Sequence, residues 1–521
     1  MSAVQGERSA AHGVAWGTIA SLARIGVTFV VWFILTPFML RTLGAEGYGL
    51  WSLLFSLVGF LSLLDLGTGA GVVRCVAETR GHGRLSERDE TLSTYLAASL
   101  VLSLAGTAIV AALARWALPA LGLPESVLPL ARAALWLVAL RSFILAVPLG
   151  FLRGVLFGEN RLVALNAVQA VATVLGGLLT AGALALGLGV KGVAWAGLLG
   201  MLLEHLMYAV LAAPHLRAMR LSFHLVTLKA LRRASSLGFA QMVIAASGLV
   251  LLRTDPLIVQ AFYGVAAVSM YAVAMKVAEN TFLIVKQFVN ALSPVIAEWH
   301  AAGRVADLRE LLIRATRLAS IPAALIGGAA LGAGASLLRL WLGPEFEVAA
   351  LPMRILVLSM ILTVPQMVVF GLLTYSDRHQ LPARASVVAA VVNLVVSLML
   401  VRPLGLVGVA LGTLIATLLV DVLYVLRAGA HTFGVPFAEL VRRALLPTWL
   451  PLVVQSALIA IWFEFAPPVH LIDLALRTGL GVAVAGLLMA RLALEESERA
   501  LIAARVRRLA RALPRPAWRT A

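Results

Sequence analysis

The sequence predicts an all-α, polytopic integral membrane protein. It should have about 14 transmembrane helices, in two pseudo-symmetric six-helix lobes around a central cavity plus two extra C-terminal helices. Three observations predict this. Of 521 residues, 61% are hydrophobic and 13% are charged, whereas a soluble domain carries about 25% charged residues. Apolar runs recur from end to end, each long enough for the roughly 20 helical residues that cross a bilayer core about 30 Å thick. Segments of the first half also recur in the second at a nearly constant offset.

Taken in order, spans are expected near 14–40, 47–77, 91–115, 127–157, 163–187, 192–213, 237–262, 265–297, 317–341, 350–374, 385–401, 406–427, 445–463 and 470–491. Each is an apolar run whose ends carry the basic residues. A leucine-glycine turn separates the first two, and the Gly405–Gly408 turn precedes the twelfth. The first is too long to be a cleaved signal peptide. With the N-terminus in the cytoplasm, roughly 27 of the 42 Lys and Arg fall in cytoplasmic segments and about 8 near outer ends. Both termini are therefore expected in the cytoplasm. The longest internal loop, about 214–236, is basic.

The repeat has two landmarks. VAETRGHGR at 76–84 matches IAEWHAAGR at 296–304, an offset of 220. GVKGVAWAGLLGMLLEHLMY at 189–208 matches GLVGVALGTLIATLLVDVLY at 405–424, an offset of 216. A duplicated six-helix unit has an even number of spans, so both copies share one orientation. The expected division is an N-lobe at 1–225, a C-lobe at 226–430, extra helices at 431–493 and a basic amphipathic tail at 494–521 lying on the anionic inner leaflet.

Composition and motifs exclude several classes. The net charge of +17 is spread over helix ends, so nucleic acid is not an expected partner. The single cysteine, Cys75, cannot form an intrachain disulfide. There is no G-x-x-x-x-G-K-[ST] loop, no H-E-x-x-H and no cysteine ligand set. ATP hydrolysis, a metal centre, a cofactor and enzymatic activity are not expected.

The candidate site residues are polar groups inside apolar spans. KVAENTFLIVKQFVN at 276–290 holds two of the four lysines. At 100° per residue, Lys276, Glu279, Asn280, Lys286, Gln287 and Asn290 fall within an arc of about 120°. A charge at the bilayer centre costs at least ~2.5 kcal/mol, so the stripe should face protein or water. Lys276 can instead pair locally with Glu279, and Lys286 can snorkel to an edge. Arg24, Arg141 and Arg253 are further buried cations; Arg24, Arg253 and Lys276 are expected to be deep. Arg74 and Arg153 lie near span ends, where snorkelling suffices. Asp65, Asp255 and Glu279 are candidates for ion coupling or cavity pairing. Pro256 should bend the seventh helix.

TPFMLRTLGAEGYGLWSLLFSLVGFLSLLDLGTGAGVVRCVAE, 36–78, resembles the first hairpin of bacterial polysaccharide and O-antigen flippases of the multidrug/oligosaccharidyl-lipid/polysaccharide (MOP) exporter superfamily. DPLIVQAFYGVAAVSMYAVAMKVAE, 255–279, resembles the opening of that family's second lobe. ARASVVAAVVNLVVSLMLVRPLGLVGVALGTLIA, 383–416, resembles its eleventh and twelfth helices. The resemblance implies alternating access without ATP for an isoprenoid-pyrophosphate-linked oligosaccharide in the bacterial inner membrane. It also implies polysaccharide assembly proteins as partners. Arg24, Arg253, Lys276 and Lys286 occupy segments comparable to those that carry the family's pyrophosphate-binding cations. The extra helix pair resembles that of lipid II flippases. A cation-coupled drug exporter, a lipid II flippase and, less well supported, a glycosyltransferase or polymerase are the alternative readings.

Overall fold

The computed structural model describes residues 2–65, 68–82, 85–230, 239–376, 378, 380–500 and 504. Among these residues the secondary structure is entirely helical. Eleven helices are long and apolar enough to cross a membrane. Three of them contain one glycine with left-handed backbone, Gly44 (φ 71°), Gly264 (φ 78°) and Gly405 (φ 60°). Only a residue without Cβ takes this conformation at little cost. Dividing each of the three at its glycine yields the expected 14 spans. These are α1 (2–43), α2 (45–65 and Thr68–His82), α3 (Leu85–Ala120), α4 (Leu128–Gly158), α5 (Leu162–Ala185), α6 (Gly189–Leu216) and α7 (239–263). The rest are α8 (265–301), α9 (Val305–Leu342), α10 (Ala350–Tyr375), α11 (380–404), α12 (406–432), α13 (Phe437–Phe465) and α14 (Leu471–Leu492).

The breaks register with the sequence repeat. Gly44 and Gly264 stand 220 positions apart and share ψ near 180° (175° and 179°). Gly189 (φ 57°) and Gly405 (φ 60°) stand 216 apart. Both sequence offsets thus reappear as pairs of like-shaped turns. The break in the α7–α8 hairpin falls at Gly264, while Pro256 stays inside continuous helix. Proline removes one hydrogen bond, but its fixed φ is helical; the sharp turn needs the positive φ that glycine supplies.

Several helices run past the apolar stretch that predicts them. α9 begins at Val305 rather than near 317, because its first turns are held by ion pairs rather than lipid. Arg309 Nη2 donates to Glu439 Oε2 at 2.9 Å, and Arg443 reaches Glu310 at 2.9 Å and Glu439 at 3.0 Å.

Packing divides the chain into two compact units. The first comprises 1–273 with 386–413, and the second 274–385 with 414–521. In the first, α1 packs on α5, α5 on α6, and α2 on α4. The α2 entry also approaches α8 so closely that a Cβ at Gly49 would lie 1.9 Å from the Val265 carbonyl oxygen. Gly49→Val is expected to destabilise the fold by about 1–3 kcal/mol or more, read as earlier loss of monodisperse protein on heating in detergent. Gly26→Ala, whose Cβ would meet nothing within 4 Å, is the neutral control; equal melting of the two would refute the close approach.

In the second unit, α9 packs against α10, α13 and α14. Small residues allow this approach: a Cβ at Gly332 would lie 2.8 Å from the Ser456 carbonyl oxygen. Gln455 Nε2 also donates to the Leu325 carbonyl at 2.9 Å. The segment after α14 is fastened to α9 by a buried ion cluster. Arg314 Nε donates to Glu498 Oε1 at 2.7 Å, and Arg317 Nη2 to Glu495 Oε1 at 2.8 Å and Glu498 Oε2 at 3.2 Å. The Arg317 and Glu498 side chains are only 7% and 5% exposed. The tail expected at 494–521 therefore opens with anchoring acids; its residues 501–503 and 505–521 lie outside the described residues.

Candidate functional site

The first unit places its polar groups at two levels. One group gathers near the span ends remote from the Gly44 turn. Arg24 lies about 30 Å along α1 from Gly44 at 1.5 Å per residue, so it is less deep than the sequence suggested. Its Nε donates to Asn166 Oδ1 of α5 at 3.0 Å. Arg153 of α4, Glu204 and Tyr208 of α6 all interact electrostatically with it. Tyr208 is fully buried, and its hydroxyl donates to Glu204 Oε1 at 2.9 Å. His205, which aligns with Asp421 at the 216-residue offset, bonds through Nδ1 to the Met201 carbonyl oxygen of its own helix at 2.8 Å.

Arg141 and Arg253 form the deeper level. Arg141 sits in a π-helical turn, Leu140–Ile144. Such a turn leaves the backbone bonding irregular, and the Ser103 hydroxyl of α3 donates to the Ile144 carbonyl there. The Arg141 guanidinium lies 5.4 Å from the Phe55 ring centroid. Gly197 makes room for it: a Cβ there would stand 2.8 Å from Nη1. Arg253 lies about 16 Å along α7 from Gly264. A Cβ at Gly59 would stand 3.0 Å from its Nε, which is buried without a hydrogen-bond partner among the described residues.

Asp255, two residues on, points elsewhere, as the helical angle requires. It is fully buried. Its Oδ2 accepts from the Tyr271 hydroxyl at 2.5 Å and the Thr413 hydroxyl at 3.2 Å. Asn393 Nδ2 of α11 donates to Thr413 Oγ1 at 3.0 Å, and one turn on, Ser397 Oγ donates to the Val409 carbonyl at 3.2 Å. Asp255 Oδ1 and Asn393 Oδ1 are both buried without a hydrogen-bond partner among the described residues. Buried polar atoms are nearly always satisfied. Two acceptors without donors, in a pocket of oxygen atoms, suit a proton or a small hard cation.

In the second unit, Lys276 Nζ is 3.1 Å from Glu279 Oε2, with side chains 45% and 25% exposed. The local pairing open from the sequence is thus the one formed. Lys286 is exposed, and Asn280 Nδ2 is buried without a partner among the described residues. The side chains of Asp65, Gln287 and Asn290 lie outside those described. Sequence reasoning missed Asn166, Tyr271, Thr413 and Ser397, and treated Arg153 as an edge residue. Hydroxyl and amide side chains carry no charge to stand out in an apolar run, and only the packing reveals them.

These features define a multi-pass membrane protein with charged side chains held inside its spans. A family model described as "Polysaccharide biosynthesis protein" matches residues 11–300, more than half of the chain, and the chain belongs to that family. The chain is 25% identical over 412 residues to the "Uncharacterized membrane protein EpsK" of Bacillus subtilis (strain 168), covering 77% of this chain and 79% of that protein. In fold it resembles an inward-facing multidrug resistance MATE family transporter of the MOP superfamily (TM-score 0.65, 17% identity, 80% of this chain and 98% of that one). It also resembles the lipid II flippase MurJ in an inward closed conformation (TM-score 0.65, 16% identity, 90% and 98%). The last two share the fold with this chain.

Proposed function

We propose that this chain is a flippase. It would carry an isoprenoid-pyrophosphate-linked oligosaccharide, a polysaccharide or O-antigen repeat unit, across the bacterial inner membrane by alternating access, with both termini cytoplasmic. One observation carries the reading: Arg141 and Arg253 sit within membrane spans, among the described residues neither has a carboxylate at ion-pair distance, and Glu204 acts on Arg141 only from beyond it. An arginine kept in a span without an acidic partner is costly; an anionic ligand offsets that cost, and the guanidinium fork suits phosphate. Arg24, Lys276, Lys286, Asn280, Gln287 and Asn290 are the further headgroup candidates. Asp255, with Thr413 and Asn393, is proposed to bind the coupling proton or cation. Asp65 and Glu279 remain candidates for cavity pairing. A cation-coupled drug exporter would use the same Asp255 pocket, but its cationic substrates would meet arginines.

Proteoliposomes with a fluorescent isoprenoid-diphosphate oligosaccharide test this. Wild type is expected to flip it, and Arg141→Ala and Arg253→Ala each to slow flipping about 10- to 100-fold, the loss of a charge-assisted contact worth roughly 1.5–3 kcal/mol. A wild type that fails to flip, or two variants that flip normally, would overturn the proposal.

A further inference from the structure

The first unit also contains a cleft. Its volume is about 440 Å³, and it lies between α2, α3 and α4. This is within the size range of small-molecule and lipid sites, roughly 300–1,000 Å³. Among the described residues, Arg153 is its only charged lining residue. Arg153 stands five positions before Gly158, the last residue of α4, which places it about 7 Å from the helix end. Ala146, Gly150, Arg153 and Phe157 line the cleft from α4 at three- and four-residue spacing, so they form one stripe. The cation is near the shallow end, and the small residues lie one and two turns deeper.

The room is made by particular glycines. A Cβ at Gly69 or Gly150 would meet nothing within 4 Å. Neighbouring glycines are packed instead: a Cβ at Gly154 would lie 2.8 Å from a Val72 methyl, and one at Gly71 would lie 2.1 Å from the Tyr95 hydroxyl. The open space is thus confined to the cleft face. Its walls are mainly valine and phenylalanine, with serine hydroxyls among them. Among the described residues, no carboxylate pairs with Arg153. Its electrostatic neighbours include a second cation, Arg24, which bonds Asn166 and also interacts with Glu204.

We infer that this cleft is a binding site for a phosphate-bearing lipid, its hydrocarbon chain lying along Ala146 and Gly150 and its phosphate against Arg153. The Arg153 guanidinium suits such a headgroup, because anionic phosphate oxygens accept charge-assisted hydrogen bonds from its planar fork. The occupant is the isoprenoid diphosphate lipid itself, captured before transfer. That identity rests on the flippase reading; the presence of a phospholipid-type site does not.

Photolabelling tests it. Full-length protein in proteoliposomes is exposed to an isoprenoid diphosphate carrying a diazirine in its chain, and labelled peptides are mapped. A parallel arm uses diazirine phosphatidylglycerol. Wild type is expected to be labelled between residues 142 and 157. Gly150→Leu fills the cleft, and leucine is a better helix former than glycine, so this variant should fold. Gly150→Leu and Arg153→Ala should each reduce labelling at least tenfold, and Arg153→Lys should reduce it less, with unchanged helical circular dichroism. Labelling by phosphatidylglycerol alone would overturn the assignment to the transported lipid. Isoprenoid labelling that is absent, or indifferent to Gly150→Leu, would overturn the site. Flipping measured on the same vesicles separates the two claims: normal flipping without cleft labelling removes this site and leaves the flippase.

Discussion

Asp255→Asn is expected to leave the protein folded and to abolish the dependence of transport on a cation gradient. The side chain is isosteric, so the Tyr271 and Thr413 hydroxyls keep an oxygen to donate to. What is lost is the negative charge, the feature that lets the pocket hold a proton or a cation against burial. Transport should fall at least about tenfold, since the driven step requires differential binding between states. Asp255→Ala should cost stability as well, because it leaves the buried Tyr271 hydroxyl without its acceptor, at about 1–3 kcal/mol, and the Thr413 hydroxyl with only the Asn393 amide. The measurement is uptake of labelled lipid-linked sugar under imposed proton and sodium gradients. A variant with Asn at 255 that responds to the gradient like wild type would remove Asp255 from the coupling role.

The second large effect concerns the ion cluster that fastens the segment after α14. Arg317→Ala should lower stability by about 3–5 kcal/mol, because Glu495 and the buried Glu498 lose their shared cation. The double change Arg317→Met with Glu498→Leu should recover most of the loss, since an apolar pair of similar volume tolerates the same burial. Thermal unfolding in detergent reads both, and wild-type melting of Arg317→Ala would contradict the cluster's role. A pH dependence accompanies it. Burial alone would raise the Glu498 carboxyl, but the Glu495 backbone N–H, Arg317 and Arg314 outweigh it and hold it below the ordinary 4.5. The unfolded chain returns to that ordinary value. The cluster therefore stabilises fully above about pH 4.5 and loses its contribution as pH falls below, through the folded value.

The sequence made the spans legible because bilayer thickness imposes one length on every helix, and apolar runs report it directly. Their extensions were hidden. The first turns of α9 contain Arg309, Glu310, Arg314 and Arg317, which read as loop when only hydropathy is followed; ion pairs to residues more than 100 positions away keep them helical. Charged site residues were visible for the same reason that spans were, by contrast with their surroundings. Asp255 could be picked out, but its partner Thr413 could not, since their contact spans 158 residues, nor could Asn393, which joins the group through Thr413. Arg24 was visible, but its depth was misjudged: the apolar run continues beyond it, and helical rise from the Gly44 turn places it near the end of the span.

The single-glycine turns also bear on how the chain enters the membrane. At Gly44, Gly264 and Gly405 two spans meet with no loop between them. A one-residue corner offers nothing for the translocation machinery to thread separately, so α1 with α2, α7 with α8, and α11 with α12 should each be delivered as a preformed hairpin. With the termini cytoplasmic, as proposed, the only charges within five residues of these corners that would be carried across are Arg41, Glu46 and Arg402. At about 2.5–3.5 kcal/mol for each charge at mid-bilayer, that sparseness keeps the passage of every corner inexpensive, and it assigns biogenesis three two-helix steps rather than six single insertions.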